Sequence, residues 1–181
     1  MDSAPSDETL MQDVARGQRS AFEQLVLRHQ QTVWRTAYRM LGCRQTAEDI
    51  AQEAFLRIFQ AADRYQPTAA FRTYLYRIVV RLCLDWLRRK RAIASAELEP
   101  LDPSAPDAQQ TLLDRERDQA VRAALDRLPA KQRMAIVLRY YEGLSGRQIA
   151  DAMNTTIKAV ERLLARGRAT LEKRLTPYLR M

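Results

Sequence analysis

Residues 145–175 read SGRQIADAMNTTIKAVERLLARGRATLEKRL, and the reading of that stretch decides the fold. Ser145 followed by Gln148 fits a capping box, in which a hydroxyl and an amide satisfy backbone groups that a helix start leaves unpaired. A helix is therefore expected to begin at Ser145. Its apolar residues Ile149, Ala150 and Met153 share one face, and the run breaks at Asn154-Thr155-Thr156. Asn tolerates the left-handed backbone of a sharp turn, and Thr156 can cap a second helix. Two helices joined by so short a turn read as a helix-turn-helix. In the second helix Val160, Leu163, Leu164, Leu171 and Leu175 form one apolar stripe, while Lys158, Arg162, Arg166 and Lys173 fall on the opposite side. The stripe can pack on the first helix while the cations meet phosphates and, through Arg, base edges in a major groove. A solvated basic surface would explain the charges alone. The capped short helix, the Asn turn and the segregated stripe together favour DNA binding.

Composition points the same way. The 181 residues suit one large or two small domains, and 46% hydrophobic residues with only 5 Gly and 7 Pro suit helices rather than a turn-rich β fold. A net charge of +8 favours a polyanionic partner, nucleic acid before a membrane surface. No apolar run is long enough to span a bilayer, and the start MDSAPSDETL is polar and acidic rather than a signal peptide, so a soluble intracellular protein is expected. Cys43 and Cys83 are far apart and only His29 could join them as a ligand, so both read as core fillers in a reducing compartment, with no metal and no cofactor.

Ahead of the helix-turn-helix the chain reads as a series of helices. Asp7 to Arg16 is amphipathic through Leu10, Met11 and Val14, with Gly17 as its stop. Ser20 and Glu23 form another capping box, opening a helix with a core pattern at Phe22, Leu25, Val26, Val33, Ala37, Tyr38 and Leu41 that Gly42 ends, and His29 is expected to face solvent. Thr46 with Asp49 starts a third helix, AEDIAQEAFLRIFQAADRY, with Ile50, Ala54, Phe55, Ile58 and Ala62 buried and Asp49, Gln52, Glu53 and Arg57 on a polar outer side. The fourth, roughly Ala70 to Arg89, sets Phe71, Leu75, Ile78, Val79, Leu82 and Trp86 against Tyr74, Arg77, Arg81 and Arg88, and runs into Arg88-Arg89-Lys90-Arg91. Cations with an interleaved aromatic suit melting or single-stranded nucleic acid, because cations hold the backbone while a ring stacks on an unpaired base. Four consecutive cations also exceed what a helix terminus needs to complement its dipole.

The chemistry then changes sign. ASAELEPLDPSAPDAQQTLLD holds Glu97, Glu99, Asp102, Asp107 and Asp114, three prolines and no Lys or Arg, and is expected to be an extended acidic linker that could occupy a cationic channel nucleic acid otherwise fills. Helical pattern resumes near Glu116 through Val121, Ala124, Leu125 and Leu128 to Pro129, then through Ala135, Ile136, Leu138 and Tyr141 to Gly143. The expected fold is all-α: two small helical domains, 7–92 and 116–181, joined by the acidic linker 93–115. No phosphate-cradling Gly-rich loop, nucleophile elbow or pair of catalytic carboxylates is present, so no enzyme is expected.

AFEQLVLRH, AEDIAQEAFLRIF, FRTYLYRI, LDWLRRKR, LPAKQRMAIVLRYYEGLS and QIADAMN followed by VERLLARGRATL together resemble a bacterial RNA polymerase sigma factor of the extracytoplasmic-function (ECF) group, sigma-70 family. The resemblance runs from about Leu10 to Leu175, and six motifs in family order make it specific. It implies a non-enzymatic cytoplasmic protein, with no small-molecule substrate, that binds core RNA polymerase and directs it to promoters. The AEDIAQEAF helix would dock on the β′ clamp through Asp49, Gln52, Glu53 and Arg57. Arg72, Tyr74, Arg77, Arg81, Arg88 and Arg89 would serve the minus-10 element, the first domain being sigma region 2. Arg147, Lys158, Glu161, Arg162 and Arg166 would serve the minus-35 element, in sigma region 4, which also touches the β flap. Members are commonly held inactive by an anti-sigma factor, often membrane-anchored, and such a partner is expected here by resemblance.

Three positions depart from the pattern. The family commonly has Trp at Tyr74, Asn at Arg81, and a Thr-Val-x-x-Arg pattern where this chain has Ala159, Val160 and Leu163. Tyr still stacks, Arg81 alters the expected minus-10 base preference, and Leu163 shifts a phosphate or base contact onto Arg162 or Arg166. Two other readings compete: a self-sufficient helix-turn-helix regulator with a helical sensor domain, and a helical adaptor for acidic proteins. The regulator needs only one reader, and the adaptor leaves the cationic helix-turn-helix without a purpose.

Overall fold

Why the chain breaks into helices where it does is visible at its glycines and caps. Ser6 accepts from the Thr9 N–H (3.1 Å) and starts α1, Asp7–Ala15, which buries Leu10, Met11 and Val14. Gly17, at φ +86°, closes it in a Schellman turn: the Gly17 N–H reaches the Val14 carbonyl (2.9 Å) and the Gln18 N–H the Asp13 carbonyl (3.0 Å). That turn leaves Gln18 as the cap of α2, Arg19–Leu41, so Ser20 and Glu23 already lie inside the helix and the capping box expected there does not form. Gly42, φ +71°, ends α2, and Cys43 in extended conformation hands the chain to α3, Arg44–Gln60, which starts before Thr46 rather than at it. Hydrogen bonds from Thr46 and neighbouring backbone hold the Cys43 thiol below its ordinary pKa, whereas burial pushes Cys83 up to about 12. The third helix is shorter than expected, and a 3-10 turn at Ala62–Arg64 covers the remainder.

In the computed structural model residues 4–67, 69–94 and 112–179 are described. Glu97, Glu99, Asp102 and Asp107 of the acidic stretch lie outside them, as does the side chain of Asp114. The chain continues with α4, Phe71–Ala94; α5, Leu112–Asp126; α6, Ala130–Ile136; α7, Gly146–Ala152; and α8, Ile157–Leu179. Among the described residues there is no strand, and no helix is long and apolar enough to cross a membrane.

Helices α1 to α4 pack around Leu25, Val33, Met40, Ile50, Ala54, Ile58, Phe71, Leu75 and Val79, all at most 5% exposed. Glu8 of α1 accepts from the Phe71 N–H (2.8 Å) and caps α4 from another helix; this bond holds its carboxyl below the usual range. His29 does not face solvent. Its Nε2 lies 2.7 Å from Asp7 and its ring 5.4 Å from that of Phe71, because Asp7 at the start of α1 is brought against α2. The second half forms a smaller cluster of Leu125, Leu128 and Ile136 with Val121, Leu164 and Leu171. The two halves also meet: Met134, Val137, Leu138, Leu144, Ile149, Ala150, Ala152 and Val160 belong to the same apolar cluster as α1 to α4. Tyr141, expected in the core, is 43% exposed beneath the Arg39 guanidinium, which lies 4.2 Å from its ring centroid.

Helices α6 and α8 cross at Gly167, where a Cβ would stand 2.9 Å from Ile136 Cγ1. Helix propensity favours Ala over Gly by about 1 kcal/mol, whereas overpacking a core costs about 1–3 kcal/mol. Gly167→Ala is therefore expected to lower the thermal midpoint. A midpoint raised by the substitution would mean that the crossing has room to spare.

Candidate nucleic-acid interface

The helix-turn-helix forms as its caps dictate. Ser145 accepts from the Gln148 N–H (3.3 Å) and Gln148 Oε1 accepts from the Ser145 N–H (2.9 Å), closing the capping box of α7. Asn154 takes φ +48°, the positive value its amide side chain tolerates, and Thr156 accepts from the Ala159 N–H (3.2 Å) to start α8. Ile149, Ala150 and Val160 are buried, which turns the other side of α8 outward. Arg147, Lys158, Glu161, Arg162 and Arg166 are all exposed. Arg162 Nε is held 3.2 Å from the Lys158 carbonyl, so the guanidinium lies along the outer surface of α8.

Helix α4 carries the other cations. Arg77, Arg81, Arg88 and Arg89 are exposed, and Asp85 sits among them, 3.9 Å from Arg81 and 2.9 Å from Arg88. Arg77 Nε donates to the Asp151 carbonyl (3.3 Å) and links α4 to the end of α7. Arg77, Arg81, Asp85 and Arg88, with Arg91 and Lys131, line a cleft of about 1260 Å³ between α4 and the start of α6, which also reaches Met153, Asn154 and Leu163. A cavity so lined concentrates positive potential where the two halves meet.

Two expected minus-10 residues are placed differently. Tyr74 is half-buried, its ring 5.2 Å from that of Tyr65 and 6.5 Å from that of Phe71, and burial raises its phenol above the ordinary value. Phe71 and Tyr74 lie one turn apart on α4 and Tyr65, just after the 3-10 turn, packs against both, so ring packing outcompetes exposure to solvent. Arg72 is 49% exposed but committed, donating to the Glu142 carbonyl with its guanidinium 4.0 Å from the Glu142 carboxylate.

On α3, Asp49, Gln52 and Arg57 are exposed, and Arg57 pairs with Glu53 at 2.7 Å. The outer side, expected to be polar, is not purely so, because Leu56 and Phe59 are 49% and 47% exposed. Together with Phe22, Val26 and Phe55 they edge an apolar groove of about 590 Å³ between α2 and α3, next to Gln52. Exposed apolar surface of this kind is suited to contact with an apolar partner surface.

Sequence reasoning passed over Glu142, Tyr76, Thr36 and Arg133, all buried polar residues at the contact between the halves. Glu142 reads as a turn residue beside Gly143, and Thr36 and Tyr76 read as ordinary helix positions, so no local pattern announces them.

Comparison with known proteins finds two family models along the chain. Residues 25–93 match Sigma-70 region 2, and residues 118–171 match Sigma-70, region 4. The ECF RNA polymerase sigma factor SigE of Mycolicibacterium smegmatis is 34% identical, over 96% of this chain and 71% of that protein. The RNA polymerase sigma-H factor of Pseudomonas aeruginosa is 32% identical over 96% of both. Among solved structures, CnrH in complex with the cytosolic domain of CnrY superposes with a TM-score of 0.74 at 27% identity, covering 96% of this chain and 99% of that one. RpoE in complex with the anti-sigma factor NepR from Bartonella quintana shares the fold, with a TM-score of 0.73 at 22% identity over 86% of this chain and 96% of that one.

Because the Tyr74 ring packs against its neighbours, Tyr74→Ala is expected to destabilise the chain by about 1–2 kcal/mol, part of the value of a fully buried ring, while Tyr74→Phe leaves stability unchanged. Denaturant titration distinguishes this from a free stacking ring, whose removal would leave the midpoint where it was.

Proposed function

The chain belongs to the ECF group of RNA polymerase sigma factors in the sigma-70 family, and from that premise we propose how its surfaces divide the work of promoter-specific transcription initiation. The observation that carries the proposal is the presence of exposed cations on two separate helices, α4 and α8, together with an apolar groove between α2 and α3 suited to a protein partner.

Asp49, Gln52, Glu53 and Arg57, with the Leu56 and Phe59 edge, dock on the β′ clamp of core polymerase. Arg77, Arg81, Arg88 and Arg89 hold the minus-10 strand as it melts, the cations gripping backbone phosphates. Tyr74 reaches an unpaired base only if its ring leaves the Tyr65 and Phe71 cluster, and Arg72 only if it leaves Glu142. In the helix-turn-helix Arg162 and Arg166 read guanine edges or phosphates in the minus-35 major groove, with Arg147, Lys158 and Glu161 around them, and this unit also meets the β flap. The division of labour follows domains 7–92 and 116–181, with 93–115 as tether. The chain acts in the cytoplasm without catalysis of its own, and an anti-sigma factor, membrane-anchored in many members, covers the polymerase-binding surfaces until a signal releases it.

A gel-shift series tests the reading. The protein alone is expected to bind promoter duplex weakly, and addition of core polymerase is expected to give strong, salt-sensitive binding. Tight sequence-specific binding without polymerase would instead support a self-sufficient regulator. In the polymerase complex Arg162→Ala is expected to cost about 1–3 kcal/mol on a matched minus-35 element if Arg162 reads a base. Equal losses on a scrambled element would reassign it to a phosphate.

A further inference from the structure

Glu142 is the most enclosed carboxylate among the described residues, 5% exposed, and its side-chain partners come from the other half of the chain. After α6 the helix widens to a π turn over Val137–Tyr141, with the Glu142 N–H donating to the Val137 carbonyl (3.3 Å), and Glu142 leaves that turn against α2 and α4. Tyr76 Oη donates to Oε2 at 2.5 Å and Thr36 Oγ1 lies 2.8 Å from Oε1. Arg39 stands 3.7 Å from Oε1 and Arg72 4.0 Å from Oε2, while Arg72 also donates to the Glu142 carbonyl. Burial and the adjacent carboxylate keep the Tyr76 phenol protonated far above its ordinary range, so it remains a donor. Beside this hub, buried Arg133 donates to the Met40 carbonyl (2.8 Å) at the C-terminal end of α2 and pairs with Asp126 at 2.9 Å.

Such contacts hold region 4 against region 2, and promoter engagement cannot keep them. A compact chain of this length has a radius of gyration of about 16 Å. Elements centred at minus 10 and minus 35 lie roughly 85 Å apart along B-form DNA, at 3.4 Å per step. Readers on α4 and α8 reach both only after the halves separate, which strips the Glu142 carboxylate of its Thr36 and Tyr76 donors.

We propose that Glu142 is an intramolecular latch: its carboxylate, held by Thr36, Tyr76, Arg39 and Arg72, keeps the free chain closed and withholds Arg72 from DNA until core polymerase draws the two regions apart. The latch rests on the sigma-factor reading. Its partners are released as a set, because a carboxyl group left buried without hydrogen-bond partners is strongly unfavourable. The closed population lowers the apparent affinity for polymerase by the fraction of chain that is open.

The test uses the full chain as wild type, Glu142→Gln, Tyr76→Phe and Thr36→Val. Small-angle scattering gives the radius of gyration, and titration of labelled protein with core RNA polymerase gives the apparent Kd. The wild type is expected to scatter as a compact particle. Glu142→Gln and Tyr76→Phe are expected to enlarge the radius of gyration by a fifth or more and to tighten core binding at least fivefold, with the double variant gaining less than the product of the two. Should Glu142→Gln lose helicity, Tyr76→Phe and Thr36→Val, which leave region 4 unaltered, decide the question by the same readouts. Folded variants that match wild type in both scattering and core Kd overturn the latch, as does a wild-type chain that already scatters as two separated bodies. Absence of core binding by every form would strike the sigma reading instead, and scattering would still decide the latch.

Discussion

A carboxylate taken out of water must be met by donors, and that requirement at Glu142 governs how the two halves of this chain sit together. Burying an unpaired charge costs several kcal/mol, more than most single contacts contribute. The donors that offset this cost, Thr36 and Tyr76, lie 106 and 66 residues away. Arg133 poses the same problem with the opposite sign; the carbonyls of Met40 and Asp126 (2.8 and 2.6 Å) and the Asp126 carboxylate (2.9 Å) answer most of it, while its Nε is buried without a partner. Apolar burial between α4 and α7 supplies adhesion without direction. The buried polar groups select one register from the many that apolar packing would tolerate.

The cationic helices take their outward placement from the same constraint. Among the described residues Arg77, Arg81, Lys158, Arg162 and Arg166 have no buried acid to meet, so burying their charges there would be uncompensated and the surface is the favourable place for them. Asp85 is the acid standing among the α4 cations, and it lies at the surface with them. A cationic surface thus arises from the want of internal partners rather than from any special geometry. The apolar groove at Phe22, Leu56 and Phe59 is the converse case, apolar surface left for want of an internal neighbour.

Local physics made much of this legible. The capping box at Ser145, the positive φ of Asn154 and the glycine stops at Gly17 and Gly42 depend on residues within a few positions of one another, and sequence reasoning found each. The expected start at Ser20 failed because the Schellman turn at Gly17 had already presented Gln18 as a cap, and the two signals compete for one helix start. His29, Tyr74 and Tyr141 were misjudged for another reason. Half-polar side chains settle according to what arrives from elsewhere, here Asp7, Tyr65 and Arg39.

By itself the order of residues determined that this chain is helical, that it ends in a helix-turn-helix, that its cations segregate to the outer sides of α4 and α8, and which family's motifs it carries, since period, caps and charge are local properties. Tertiary structure alone decided that Glu142 and Arg133 become buried hubs, that Arg72 is occupied, and that Gly167 is a helix crossing. Those outcomes depend on which distant group arrives to satisfy a desolvated one, and no window of sequence contains both partners.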